Sequence, residues 1–333
     1  MNLKKIILLL CVISLIQPLW AQKKLAQTGF QFLSVVPDAR SAALANAMTT
    51  VENNSSALWD NPAMMANMQN SFDFVVTQNQ WIADIKHNAL SAAFKPASGQ
   101  YGVIGLFLLM VDYGDVEGTI VANNEQGFLE TGIINPYAFV VGLGYAKALT
   151  DKFSIGAQIK YADQYLGPVI ENYFTTSAEV ETSEKEASVL AFDFGTYYRT
   201  GFRSLVFGMS VRNFSQEIKF AQEEFQLPLI FSIGFSANVM QLLPEYWQYK
   251  PLSNLLWTMD AVHPRSYPEY VKTGLEYNLK DLLALRVGYY SNVDERSFTY
   301  GLGLKLFKFS FDYAYVPFGV FNNVQRFSLK FFW

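Results

Sequence analysis

The chain has almost no cysteine and very little histidine. Of its 333 residues one is a cysteine, Cys11, and two are histidines, His87 and His263. A chain that loses Cys11 has no disulfide, no thiolate metal site and no cysteine nucleophile, and two isolated histidines favour no transition-metal site. Neither histidine has a serine and an acid beside it in a recognisable arrangement. We therefore expect no enzyme and no cofactor; a Ser/His pair assembled in space is the alternative.

Long hydrophobic runs are missing after the N-terminus. Residues 1–21 carry two lysines, an apolar run over 6–16 and a small residue at Ala21. This run is shorter than the roughly 20 residues that a membrane-spanning helix needs. The pattern predicts a secretory signal peptide over 1–21, cleaved near Ala21, which would remove Cys11. An N-terminal anchor helix is the alternative.

A surplus of basic charge is also absent. Removal of the two lysines of 1–21 leaves 23 of the 25 basic residues against 29 acidic ones, which argues against a nucleic-acid partner. Hydrophobic residues make up 51% of the chain, with 28 Phe and 19 Tyr. High apolar content without a long run is typical of a transmembrane β-barrel, whose strands alternate between lipid and a polar lumen. A soluble β-sandwich also alternates and is the alternative.

The C-terminal residues alternate cleanly. The apolar side chains are Phe327, Leu329, Phe331 and Trp333, and the polar ones between them are Arg326, Ser328 and Lys330. An aromatic residue that ends such a strand is typical of bacterial outer-membrane barrels. We therefore predict that the protein lies in the bacterial cell outer membrane, in contact with its lipid. Phe331 and Trp333 are predicted to serve assembly and closure, with the barrel-assembly machinery as a partner.

Fourteen segments have the period-two pattern of strands. They are 71–80, 87–95, 100–112, 136–149, 152–164, 188–199, 204–214, 228–240, 254–262, 268–278, 283–291, 297–306, 309–316 and 324–333. Many have about ten residues, enough to cross a bilayer at a tilt of about 45°. The predicted fold is all-β, a transmembrane antiparallel barrel of about 14 strands over 71–333. An even number of strands predicts that both termini are periplasmic.

The connections alternate in length, as a barrel requires and a sandwich does not. The short ones are 95–99, 150–151, 200–203, 278–281 and 307–308, and the long ones include 114–135, 166–187, 215–227 and 317–323. The connection at 241–253 breaks the pattern, because it is long where a short periplasmic turn is expected.

Residues 22–70 do not have a strand pattern. The stretch from Asp38 to Met48 is rich in alanine and has helical propensity, and Asn61-Pro62 marks a turn. A short helical segment ahead of a barrel is predicted to fold into the lumen as a plug, where its backbone polar groups find partners.

The same segment resembles a known family. The pairs Phe32-Leu33, Ala39-Arg40 and Ala43-Leu44 and the tripeptide Asn61-Pro62-Ala63 are similar to the N-terminal region of the PorV/PorQ family of Bacteroidetes, within the FadL-like outer-membrane barrels. The chain departs from that pattern at Ala45-Asn46, where two glycines are usual. The resemblance implies a plug motif made of Phe32, Leu33, Asp38, Arg40, Asn61, Pro62 and Ala63.

The resemblance implies two alternative functions, neither enzymatic. PorV-like proteins belong to the type IX secretion system, where they bind the C-terminal sorting domains of exported proteins and pass them to surface machinery. FadL-like barrels are passive channels for hydrophobic small molecules. We expect the first function, with secretion-system components and sorting domains as partners. The PorV-like and PorQ-like roles and the identity of the cargo are left open.

Several charged residues project inward in the predicted register. They are Lys160, Asp193, Arg199, Arg212, Lys272, Glu276, Arg286, Lys305, Asp312, Arg326 and Lys330. Unpaired charges in a confined space are costly, so we expect ion pairs that hold the plug, with Asp38 and Arg40 as its contributions. A water-filled lumen with solvated charges is the alternative. Five inward glycines leave room for a plug: Gly156, Gly195, Gly208, Gly274 and Gly288.

The long connections contain two candidate partner sites. The connection 166–187 has five glutamates against Lys185, which indicates either a solvated loop or an acidic lip that steers a basic partner. Four aromatic residues lie in or beside such connections: Phe220, Phe225, Phe318 and Phe321. Any that stand above the aromatic girdle would form an exposed apolar partner site.

Overall fold

The computed structural model describes residues 28–121, 124–173, 180–220, 223–243, 254–293, 297–321 and 323–333. The predicted signal peptide, 1–21, lies outside these residues. The described chain forms a closed antiparallel barrel of 14 strands around an N-terminal segment. The all-β barrel class and the predicted number of strands are confirmed. None of the helices in the described ranges is long and apolar enough to cross a membrane.

The described residues contain eighteen strands. They are β1 (Phe72–Gln80), β2 (Lys86–Phe94), β3 (Val103–Asp112), β4 (Val116–Val121), β5 (Phe128–Ile134), β6 (Tyr137–Ala148), β7 (Phe153–Tyr173), β8 (Val180–Arg199), β9 (Val206–Ser215), β10 (Ile218–Phe220), β11 (Glu223–Phe225), β12 (Ile230–Asn238), β13 (Leu255–Pro264), β14 (Tyr270–Leu279), β15 (Leu283–Ser291), β16 (Phe298–Leu306), β17 (Phe309–Pro317) and β18 (Asn323–Phe332). The strands β4–β5 and β10–β11 form separate two-stranded sheets, and the other fourteen close the barrel in the order β1-β18-β17-β16-β15-β14-β13-β12-β9-β8-β7-β6-β3-β2.

The alternation of side chains follows from the two environments of a barrel wall. In β7, Ile155, Ile159 and Tyr161 face outward and are exposed, whereas Gln158 and Lys160 face inward and are buried. Strand β3 is apolar on both faces, because its inward side chains pack against the N-terminal segment rather than against water.

The barrel closes between its first and last strands. Strand β1 pairs with β18, with Phe74 opposite Phe331. Phe72 and Trp333 exchange backbone hydrogen bonds, with N···O distances of 2.8 and 2.9 Å. These bonds leave neither strand with an open edge, which a membrane-spanning sheet cannot tolerate.

The two ends of the barrel differ. At one end, which we call the turn rim, most connections are short: 95–102, 149–152, 200–205, 280–282 and 307–308, together with 239–254, which begins with the helix Val239–Leu242. At the other end, the hairpin rim, the connections include the hairpins β4–β5, β7–β8 and β10–β11. Both ends of the barrel sequence, at β1 and β18, lie at the turn rim.

Three connections predicted as loops are instead partly strands. Strands β7 and β8 extend the predicted spans by about nine and eight residues, so that most of 166–187 is a paired hairpin. Register shifts at Gly167 and between Ile170 and Asn172 keep that hairpin paired. The sequence did not indicate this hairpin, because acidic residues and a Gly-Pro dipeptide are usually found in loops.

Residues 28–70, which we call the plug, lie inside the barrel. The plug contains the α-helix Ala39–Ala43 and the 3₁₀-helices Gln31–Ser34, Asn54–Trp59 and Pro62–Asn67. Every residue of 41–51 and of 55–65 is buried. The main apolar core therefore lies within the lumen, where Leu58 and Met65 of the plug meet Phe107 and Val140 of the wall.

Candidate functional site: the plugged lumen and its two rims

Cross-strand glycine pairs line the middle of the barrel wall. Four pairs lie opposite one another on neighbouring strands: Gly105 and Gly144, Gly156 and Gly195, Gly208 and Gly234, and Gly274 and Gly288. We call these eight residues the glycine belt. Because glycine lacks a Cβ, the wall has no side chain at these positions and other backbone can approach closely.

The plug occupies the space that the glycine belt leaves, with its backbone at some positions and its side chains at others. A Cβ at Gly156 would lie 2.5 Å from the carbonyl carbon of Pro62 and 2.6 Å from Cα of Ala63. At Gly288 it would lie 2.6 Å from the carbonyl carbon of Leu44. Asn61 fills the space beside Gly195 and donates from Nδ2 to the carbonyl oxygens of Thr49 and Thr196, at 2.7 and 3.1 Å.

The plug turns sharply where it passes Gly288. Ala45 and Asn46 have φ angles of 53° and 54°, in the left-handed region that favours glycine. These are the two positions at which glycines are usual in the resembling family. Asn46 compensates in part, since its Nδ2 donates to the hydroxyl of Tyr290 at 2.8 Å.

Wall side chains satisfy the polar backbone of the plug. Asp260 accepts from both the backbone nitrogen and the hydroxyl of Thr49, at 3.1 and 2.8 Å. Thr258 donates to the carbonyl of Ala47 at 2.8 Å, and Thr299 donates to the carbonyl of Ala43 at 3.0 Å. A buried backbone group without a partner is costly, so these bonds fix the path of the plug.

An ion-pair network joins the plug to the wall in the half of the lumen near the turn rim. Arg40 of the plug and Arg286 of β15 both contact Glu276, at 2.7 and 2.6 Å. Arg286 also contacts Asp312 at 2.6 Å. Lys330 of β18 lies 3.4 Å from Asp38 of the plug and donates to Asn53 at 2.8 Å.

The two plug members of this network remain charged. Burial alone would raise the pKa of Asp38, but the ammonium of Lys330 and hydrogen bonds from Ser41 outweigh it and hold the pKa well below its usual range. Burial alone would lower the pKa of Arg40, but Glu276 outweighs it and keeps the pKa above its usual value. Breaking either contact would leave a buried charge without its partner.

A second polar cluster lies toward the hairpin rim. Lys160 donates to Asp193 at 2.7 Å and to Asn213 at 2.6 Å, at a bulge between β8 and β9. Arg212 donates to the carbonyl oxygen of Trp59 in the plug. Burial raises the pKa of the nearby plug residue Asp60 to about 6, although Arg212 acts in the opposite direction.

The structure separates the predicted luminal charges into two groups. Nine are buried in the lumen: Lys160, Asp193, Arg212, Lys272, Glu276, Arg286, Asp312, Arg326 and Lys330. Arg199 and Lys305 also follow the inward register but lie exposed at the turn rim, where Arg199 contacts Glu52 at 3.3 Å. The predicted site residues do not include Asp60, Thr258 or Asp260, although the same alternation places Thr258 and Asp260 inward.

The motif residues of the plug are nearly all buried. Phe32, Leu33, Asp38, Asn61, Pro62 and Ala63 are buried, and Arg40 is half-buried. Asp38 begins the helix Ala39–Ala43 by accepting a hydrogen bond from the backbone nitrogen of Ser41 at 2.9 Å. Asn61 begins the 3₁₀-helix that follows it in the same way, by accepting from Ala63.

The three aromatic candidates whose side chains the structure describes do not form one patch. Phe225 is half-buried and stacks on Phe30 of the plug, with ring centroids 6.0 Å apart. Phe318 is buried against Trp81, with ring centroids 5.1 Å apart. Phe321 lies beside Phe318 and is exposed. The side chain of Phe220 lies outside the described part of the chain.

Among the cavities that border the plug in the described residues, two bear on its function. One, of about 20 Å³, lies beside Trp59 and Phe107. The other is a polar cleft of about 270 Å³ that opens at the turn rim, with Arg40, Asn53, Lys305 and Asp73 among its lining residues. The lining residues of this cleft belong to the plug, to the turn-rim halves of strands or to the turn 280–282.

The barrel resembles solved structures in its fold. The toluene transporter TbuX of Ralstonia pickettii has 12% sequence identity and a TM-score of 0.60, over 92% of this chain and 99% of that one. The monoaromatic hydrocarbon channel CymD has 11% identity and a TM-score of 0.57, over 90% and 98%. The toluene transporter TodX of P. putida has 11% identity and a TM-score of 0.57, over 88% and 97%. At this identity the likeness shows the fold alone.

Sequence comparison identifies the family. No curated protein sequence matches the chain significantly. The model of the family described as type IX secretion system membrane protein PorP/SprF matches residues 58–317, most of the barrel together with the last part of the plug. The match names PorP/SprF rather than the PorV/PorQ proteins that the N-terminal motifs resemble. The chain is an outer-membrane β-barrel that belongs to the PorP/SprF family of type IX secretion system membrane proteins.

Proposed function

We propose that this protein is a closed outer-membrane component of type IX secretion that binds exported proteins or secretion machinery at its hairpin rim. In this proposal the hairpin rim faces the cell exterior, and the turn rim and both termini face the periplasm. A narrower form follows the resemblance to PorV/PorQ proteins, in which the rim receives the C-terminal sorting domains of exported proteins.

The burial of the plug is the observation that carries the proposal. Residues 41–51 and 55–65 are buried throughout, and they contact wall backbone at the glycine belt. A conduit for a polypeptide would require this segment to leave the lumen. Its departure would leave Glu276 without Arg40 and Lys330 without Asp38, and separating buried charge pairs costs several kcal/mol. A role at the rim requires no such movement.

The alternative is a passive channel for hydrophobic small molecules. The fold favours it, because the toluene transporters TbuX and TodX and the monoaromatic hydrocarbon channel CymD have similar barrels. Two features of this chain oppose it: the larger cavity beside the plug is polar, and the smaller one, which Lys160 and Arg212 line together with apolar side chains, has room for about a single water molecule.

Deletion of the gene from the native bacterium separates the two functions. We expect proteins with C-terminal sorting domains to disappear from the surface and medium and to accumulate in the periplasm, as measured by quantitative mass spectrometry of the three fractions. Reintroduction of the wild-type gene should restore their distribution.

The channel function makes the opposite prediction. An unchanged secretome together with slower uptake of a hydrophobic nutrient would contradict the proposal. The matched control is a strain that carries the Phe307→Ser variant, which changes an exposed side chain in the turn 307–308 at the opposite rim.

A further inference from the structure

The hairpin β4–β5 leaves many of its apolar side chains exposed to solvent. Its side chains are exposed on both faces, to 94% at Val121, 67% at Ile133, 46% at Val116 and 41% at both Phe128 and Leu129. A two-stranded hairpin alone in water is marginally stable at best. Exposed apolar side chains of this density mark a surface that another molecule covers.

One edge of this hairpin has no neighbour among the described strands. Strand β5 lies on the side of β7, where the Ile134 side chain fills the space beside Gly167. Strand β4 lies on the side of β2, but β2 begins at Lys86, opposite Asp112. Strand β4 therefore extends beyond the hairpin-rim end of β2. Among the described strands it pairs only with β5.

This edge lacks the features that usually protect an exposed strand. Lysine, proline and bulges commonly prevent edge-to-edge pairing. The sequence of β4, Val-Glu-Gly-Thr-Ile-Val, has no lysine or proline. The register shift after Gly118 places the extra residue, Thr131, in β5, so the free edge of β4 is continuous. Alternate residues of an edge strand point their N–H and C=O groups outward, about three of the six here.

The acidic residues around the edge of β4 indicate the charge of the partner that it would bind. Residues 112–136 contain five acidic residues and no basic one. In the sequence, residues 112–136 and the connections 163–187 and 215–229 together contain 14 Asp and Glu against two Lys. Such a field attracts basic segments and repels a second copy of the same hairpin.

We propose that the free edge of β4 binds an extended, lysine- or arginine-bearing segment of a protein partner as an additional strand. The main chain of that segment pairs with the edge, and its basic side chains meet the acidic hairpins. This inference rests on the proposed function for the identity of the partner, since it supplies the site at which the hairpin rim would hold an exported protein.

A synthetic peptide tests the edge directly. The probe is a fluorescent ten-residue peptide in which lysine alternates with valine or threonine, titrated against the full chain in detergent micelles and followed by fluorescence anisotropy. Two further peptides carry N-methyl groups on alternate backbone nitrogens. One peptide is methylated at the odd-numbered residues and the other at the even-numbered residues. Only one register faces the edge, so one methylated peptide should bind about tenfold more weakly and the other should bind as the parent does.

A pair of variants tests the location. Thr119→Lys places a positive charge in β4, and Thr131→Lys makes the same charge change in β5. We expect Thr119→Lys to weaken binding about tenfold more than Thr131→Lys does, because lysine protects an edge only where it lies on that edge. Retention of the folded barrel is checked by heat-modifiable mobility on gels, which an exposed hairpin should not alter.

Equal binding of both methylated peptides would overturn the proposal, because it would mean attraction by charge without strand pairing. Equal effects of the two variants would overturn it as well, as would self-association of the protein through the hairpin. The peptide assay uses purified protein, so its failure leaves the secretion result standing. A normal secretome in the deletion strain would instead refute the proposed function without changing the peptide result.

Discussion

The substitution Gly156→Ala tests whether the glycine belt positions the plug. The added methyl would lie 2.5 Å from the carbonyl carbon of Pro62 and 2.6 Å from Cα of Ala63. Carbon atoms in contact are normally about 3.5–4.0 Å apart. Both neighbours are backbone atoms, so the plug must move by about 1 Å rather than rotate a side chain.

The expected magnitude follows from two opposing effects. Overfilling a packed core costs about 1–3 kcal/mol. Replacing glycine by alanine reduces the freedom of the unfolded chain and contributes about 0.4–1 kcal/mol of stability where the backbone is compatible. We expect a net loss of about 1–2 kcal/mol in the free energy of holding the plug in place.

Gly105→Ala is the matched control. Gly105 belongs to the same belt, but its added methyl would meet the Met65 sulfur at 2.7 Å and Cδ1 of Leu58 at 2.9 Å. These are the ends of flexible side chains that can rotate away. We expect this variant to be close to the wild type in stability.

Thiol labelling measures the position of the plug. Ala57→Cys places a thiol in a buried part of the plug, in a mature chain that we expect to have no other cysteine. Reaction with a membrane-impermeant maleimide in outer-membrane vesicles should be about tenfold faster with Gly156→Ala than with Gly105→Ala, the factor that corresponds to about 1.4 kcal/mol. Equal labelling rates in the two variants would refute the reasoning.

Two further predictions concern charge. Glu276→Gln leaves the guanidinium groups of Arg40 and Arg286 without their shared carboxylate and should lower the free energy of unfolding by about 3–5 kcal/mol; Glu52→Gln, in the exposed pair with Arg199, should cost less than about 1 kcal/mol. Urea titration in lipid vesicles measures both, and equal costs would contradict the assignment. Burial raises the pKa of Asp60 from 3.8 to about 6, so the folded state binds this proton more tightly than the unfolded state. The contribution of Asp60 is therefore largest below pH 4 and should decline by about 3 kcal/mol as the pH rises through 6. The difference in urea stability between the wild type and Asp60→Asn, measured from pH 4 to 7, should show this decline, and a difference independent of pH would refute it.

The barrel could be predicted from the sequence because its physical requirements are local. Lipid on one side and a polar lumen on the other impose alternation on each strand, as in Ser154 to Tyr161. The fourteen predicted strands agree with the fourteen strands of the barrel within a few residues, apart from the hairpin-rim ends of β7 and β8. Strand β3 lies within the predicted segment 100–112, although both of its faces are apolar.

The contacts of the plug could not be predicted in the same way. The sequence suggested that inward glycines leave space, but their cross-strand pairing depends on register, which the sequence of one strand does not determine. The pairing of Arg40 with Glu276, 236 residues apart, depends on which side of the lumen the helix Ala39–Ala43 approaches. Strand β4 was not predicted for another reason. It lies within the connection 114–135, whose polar and glycine residues favour a loop.

The most direct test of the closed lumen is a disulfide that fixes the plug to the wall. A Cβ at Gly274 would lie 3.0 Å from Cβ of Leu44, close to the roughly 3.5–4.5 Å found in disulfides, so the double variant Leu44→Cys/Gly274→Cys should form the bond, with Leu44→Cys alone as the control. Surface delivery of proteins with sorting domains is then measured in oxidised and reduced cells of the native bacterium. If the protein acts at its rim with a stationary plug, locked and unlocked cells should deliver equal amounts. Delivery that stops when the plug is locked and resumes on reduction would contradict this account.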